Sequence, residues 1–193
     1  MARLPGYSMG SVLLTFIAVF FVMGSFWMSW YYISNGHIIV SEYYLNHFDP
    51  LYGTAESYRD WNPVGEVMEM LKFFAVLWFL ASLHYAYWVM SDTKGSAIRD
   101  IASGMAPVTI GVGMLVYFTL AFPSAAPSQY VSGFFSSTTD GDVVYTGGPG
   151  GGFYLCAIAC ILQASAVLLH SKAVSSRARP LELEPYEAPV VNK

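Results

Sequence analysis

The chain has 193 residues, of which 55% are hydrophobic and only 11% charged, with a mean hydropathy of +0.46. One soluble domain of this size cannot bury so much apolar surface, so lipid is the expected solvent. The formal net charge of −4 and the scatter of the cations argue against nucleic acid as a partner.

Ser11 to Ile33 is the first of four stretches without Asp, Glu, Lys or Arg; Phe73 to Ser91, Gly104 to Phe122 and Phe153 to Leu169 are the others. A helix rises about 1.5 Å per residue and the hydrocarbon core is about 30 Å thick, so a crossing takes roughly 17 to 25 apolar residues. The stretches predict spans over about 11–33, 70–91, 102–122 and 152–171 in a single membrane domain covering 1–193. Arg3 precedes an apolar run too long for the core of a cleavable leader, which favours a retained first helix. At its far end Trp27, Trp30, Tyr31 and Tyr32 form an expected interface belt, where ring bodies meet acyl chains and polar edges meet headgroups.

The first long connection, 34–69, carries a β-branched and aromatic run from His37 to Leu45 that reads as a strand. A short amphipathic helix over Val40 to Phe48 is the rival, because Tyr44, Leu45 and Phe48 share a helical face. Span two contains His84 and ends in Tyr85, Tyr87 and Trp88. Span three opens with small residues, Ala102, Gly104 and Ala106, followed by Gly111 and Gly113, and Pro107 is expected to loosen its first turns.

In the second long connection, 123–151, Asp140-Gly141 predicts a turn and Asp142 to Thr146 a short strand. The following Gly147 to Gly152 segment lacks the Lys and Ser or Thr of a phosphate loop, so it reads as a hinge or close-packing lead into span four. In that span Cys156, Cys160 and Ala164 recur every fourth position, and the two thiols, one turn apart on one helix, read as packing residues. Gln163, near its middle, is expected to hydrogen-bond a neighbouring helix. The fold class is an all-α membrane protein: a four-helix bundle with a small external β-containing cap built from both long connections.

Arg3, Lys94, Arg99, Lys172, Arg177, Arg179 and Lys193 fall on one side, leaving Arg59 and Lys72 on the other with most of the acids. Both termini, including the tail 172–193, are therefore expected in the cytoplasm. Within that tail Pro180, Pro185 and Pro189 alternate with glutamates and disfavour a continuing helix.

Four spans, internal termini, a larger first external loop with strands and Trp30 where span one exits resemble the claudin and PMP22-like tetraspan membrane proteins. The chain departs from that family's Gly-Leu-Trp and loop-cysteine signature: Trp61 has no Gly-Leu before it and the first loop has no Cys. The resemblance is one of architecture.

No catalytic constellation stands out, and no cofactor is favoured. The expected function is that of a non-enzymatic scaffold or accessory subunit that binds other integral membrane proteins, or copies of itself, and lipid. Its candidate partner-binding residues are Tyr43, Tyr44, Phe48, Tyr52, Tyr58 and Trp61 in the first loop and Leu181, Leu183 and Tyr186 in the tail. The alternative is a membrane subunit of a redox enzyme complex. In that reading His84 and His170 contact haem or quinone, or His37, His47, Glu42 and Asp49 hold a metal.

Overall fold

The computed structural model describes residues 6–50, 62–91, 97–128 and 131–178. Four helices, α1 (Gly6–Ser25), α2 (Asn62–Met90), α3 (Ala97–Ala125) and α4 (Gly151–Ala178), carry a small antiparallel sheet at one end. Strands β1 (Tyr31–Ser34), β2 (Ile39–Tyr43) and β3 (Phe48–Pro50) come from the first long connection. The second supplies β4 (Ser136–Asp140) and β5 (Val143–Pro149), and the spatial order is β3-β2-β1-β5-β4. Two helical segments, Ile101–Ala125 and Gly151–Lys172, are long and apolar enough to cross a membrane, and α1 supplies a shorter apolar segment, Met9–Ser25.

Small residues set the helix packing. Gly10 and Gly24 face Leu169 and Leu155, so α1 runs antiparallel to α4 along most of its length. On α3, Gly111 lies against Cys160 and Trp78, and Gly104 lies against Val167 and Tyr85. A side chain at either glycine would occupy the space these neighbours fill, which is how small residues let backbones approach. The alanines expected to share this role, Ala102 and Ala106, are exposed instead, because they lie off the face that α3 turns to its neighbours.

The apolar run taken for span one is divided between two structures. The helix ends at Ser25 rather than near residue 33, and turn bonds from Phe26 N to Met23 O and from Trp27 N to Gly24 O close it. Trp30 then locks the junction: its indole Nε1 donates to the Ser25 carbonyl at 3.0 Å and its backbone N–H to the Tyr43 carbonyl at 2.7 Å. Tyr31 to Ser34 becomes the middle strand, paired with β2 on one side and β5 on the other. Trp30 and Tyr31 are consequently core residues rather than interface-belt residues, whereas Trp27 remains 71% exposed. In the predicted His37 to Leu45 strand, Ile39 to Tyr43 is the extended part, and the rival helix over Val40 to Phe48 does not form.

The sheet sits on the bundle through aromatic rings. Opposed residues of an antiparallel ladder share a face, and Tyr31, Tyr43 and Phe48 form one such row. Tyr31 and Tyr43 meet Phe122 of α3 at centroid distances of 4.5 and 5.1 Å, and Trp30 meets Phe118 edge-on at 5.3 Å. Phe134 and Phe153 complete the cluster. Two-residue hairpin turns ask for positive φ at their first central position, and Gly141 provides it between β4 and β5 with φ of 60°.

The glycine-rich lead into α4 is a close-packing device. Gly150 N donates to the Trp30 carbonyl at 2.9 Å and Gly152 N to the Ser29 carbonyl at 2.8 Å. A Cβ on Gly150 would run into the Ser29 carbonyl, and one on Gly152 would lie 2.6 Å from the Trp30 ring. Only bare backbone fits between α4 and the 28–31 segment.

Candidate functional site

The side of the sheet turned away from the bundle is the most distinctive surface. Tyr32 and Val144 alternate with the buried row and are exposed, as the period of two requires, and exposed Ile39 joins them opposite Ser34, past the irregularity that shifts the β1–β2 register. Tyr32 pairs across the ladder with Gly148, and the Phe135 ring lies over the same glycine; a Cβ there would be 3.7 Å from Tyr32 Oη and 3.8 Å from Phe135 Cδ1. The two aromatics thus cover one bare backbone position, and Phe135 is left 75% exposed. Rings that are rigid, large and partly wet suit an interface anchor.

Beside this patch the β2–β3 turn gathers polar groups. Tyr44 stacks on His47 with ring centroids 4.5 Å apart, and its hydroxyl donates to Glu42 Oε2 at 3.1 Å. His47 Nε2 lies 3.5 Å from Asp49 Oδ2. Partial burial, with Glu42 next to it, holds the Tyr44 phenol above the ordinary tyrosine range. Burial does the same to Tyr31, opposed by a hydrogen bond from Ser136.

Several expected site residues take other places. Tyr43 and Phe48 are 2% and 6% exposed, so they hold the sheet to α3 and offer nothing to a partner; their alternation put them on the buried face. Tyr44 is half-buried and engaged with His47 and Glu42. Tyr52, Tyr58, Trp61, Leu181, Leu183 and Tyr186 lie outside the described residues. The four residues weighed as a metal set are not brought together: His37 is in the β1–β2 turn, away from His47 and Asp49. Among the described residues no group of three or more His, Cys, Asp and Glu is placed to hold a metal.

Nor do the two bundle histidines converge on one point. His84 is exposed on α2 and tilts over Trp88, whereas His170 of α4 is buried edge-on against Tyr85 at 6.2 Å. Adjacent positions on a helix point about 100° apart, so Tyr85 facing inward turns His84 outward.

A groove of about 340 Å³ opens between the sheet-side halves of α1 and α2. Met23, Phe26, Trp27, Val76 and Phe79 line it, and Asn46 of the β2–β3 turn is its polar contribution. Sequence reasoning missed Phe135, Tyr32 and the groove. The alternation around Tyr31-Tyr32-Ile33 was the available signal, and it was masked by reading the whole run as helix.

No protein-family model matches the chain, and no curated protein matches it.

Proposed function

We propose that the chain is a four-span membrane protein acting as a non-enzymatic scaffold or accessory subunit, with the sheet outside and both termini in the cytoplasm. The observation that carries this reading is where large apolar side chains remain exposed. They cover every helix: Leu13 and Phe20 on α1, Phe73, Val76 and Leu80 on α2, Val112, Val116 and Leu120 on α3, and Ile158, Ile161 and Leu168 on α4. A soluble bundle puts charge at such positions; a bundle in lipid has no reason to. Apolar side chains are exposed on the sheet as well, at Tyr32, Val144 and Phe135, where lipid is not the solvent and a protein partner is the fitting occupant.

The four helices and a sheet drawing strands from both long connections agree with the architecture implied by the claudin and PMP22-like resemblance. That likeness supports the scaffold reading without assigning a junction role.

A photo-crosslinking residue placed at Phe135 in native membranes tests the proposal. A discrete adduct with another membrane protein or a second copy is expected, and Tyr32→Ser with Phe135→Ser should weaken recovery of that partner without lowering the thermal midpoint. A chain that remains an uncrosslinked monomer would contradict it.

A further inference from the structure

Inside the bundle, Trp78 Nε1, Ser82 Oγ and both amide atoms of Gln163 are buried and have no hydrogen-bond partner among the described residues. Buried polar atoms without partners are uncommon, and several in one place call for a ligand. The glycine contacts place the helices that carry them at matching depths. Gly111 marks a level shared with Trp78 and Cys160, and Gly104 marks a second level shared with Tyr85 and Val167. The two levels are seven residues apart on α3, about 10 Å by helix rise.

Ser82 is four residues beyond Trp78 and three before Tyr85, and Gln163 is three beyond Cys160 and four before Val167. These spacings keep each on the same helical face as its flanking contacts and at the level between them. Pro107 occupies the equivalent position on α3, is buried, and has no N–H to offer. The fourth wall comes from α1. Ser11 Oγ is 3.0 Å from Tyr85 Oη, and Thr15, one turn towards the sheet, is buried with its hydroxyl donating to the Ser11 carbonyl. Thr15 still has lone pairs to accept with.

We infer that this mid-bundle layer is a binding site for a small uncharged molecule that both donates and accepts hydrogen bonds, water being the smallest member of that class. Trp78 can only donate, whereas Ser82 and Gln163 do both, so a ligand must have both functions to satisfy them. Charge is excluded on chemical grounds: the buried polar side chains among the described residues are Ser, Thr, Gln and His, with no Lys, Arg, Asp or Glu to balance an ion. Buried waters bridge about three polar groups each, which three of these side chains can supply. The site lies within one chain and is independent of the docking surface proposed above.

The test is water-edited solid-state NMR of the isotope-labelled full chain in lipid vesicles, with Trp78→Phe identifying the relevant indole signal. Trp30 is the internal control, since its buried Nε1 already donates to the Ser25 carbonyl. Magnetisation from water is expected to reach the Trp78 indole and the Gln163 amide, approaching the level seen at exposed Trp27 and well above that at Trp30. In Gln163→Met the transfer to Trp78 should be lost. Ser82→Ala, a smaller change, should reduce it and serves if the first variant does not fold. A Trp78 indole as dry as Trp30, or transfer unchanged in the folded variants, would overturn the inference.

Discussion

Single side chains show where bare backbone is required and where charge is felt. Gly150→Ala forces a Cβ into the Ser29 carbonyl, which is backbone and cannot swing aside; overpacking of this kind costs about 1–3 kcal/mol. Gly113→Ala meets nothing within 4 Å and should be neutral or stabilising by up to about 1 kcal/mol, as alanine is the better helix former. Thermal midpoints of the two variants in one detergent should therefore move in opposite directions or differ clearly. Glu42→Gln removes the charge next to Tyr44 and should bring its raised pKa down towards the ordinary value, followed by phenolate absorbance. Because the folded-state value is the raised one, this contribution to stability is complete below the unfolded pKa, about 10. It is lost as pH climbs through the folded value. Gln163, Ser82 and Thr15 were legible as polar groups from their places in apolar runs, but their grouping with one another and with Trp78 was not: they belong to different helices, and their common depth depends on contacts no local pattern records.

Elements were readable where length and apolarity decide, and misread where burial has two possible causes. The run from Trp30 to Ile33 is as apolar as a span, yet it lies in a sheet core, and periodicity over so few residues cannot separate these fates. β4, Ser136–Asp140, escaped notice for the opposite reason. Its Ser and Thr residues carry little apolar alternation, and it is a strand because β5 pairs with it from Ser136↔Gly147 to Asp140↔Val143. The Asp140-Gly141 turn was legible, since a positive φ beside a β-branched run is local chemistry. The sheet depends on α3 through Phe122, which is fully buried and touches both Tyr31 and Tyr43. Phe122→Ala should cost about 3–5 kcal/mol. Its expected signature is protease cleavage in the sheet turns with helix content by circular dichroism nearly unchanged; simultaneous loss of both would show that sheet and bundle do not separate.

For the whole molecule, the solvent that faces the helices decides the architecture. Leu13, Phe20, Leu80, Leu120 and Leu168 are exposed at positions that water would penalise and acyl chains would not. Under the scaffold proposal, deleting residues from Leu181 onward should leave helix content intact and weaken partner recovery, because that segment carries the candidate tail anchors; unchanged recovery would confine docking to the sheet and the spans. The central claim, a four-span chain with its sheet outside, is tested most directly by cysteine labelling in sealed vesicles, where Cys156 and Cys160 are buried and should contribute little background. Single cysteines at His37 and Asp142, in the β1–β2 and β4–β5 turns, and at Ser91, at the opposite end of α2, would be treated with a membrane-impermeant maleimide. The expected result is that the two turn sites react from one side and Ser91 only from the other, with the protein retained in the membrane at alkaline pH. Reaction of all three from the same side, or release of the chain by alkali, would contradict the account.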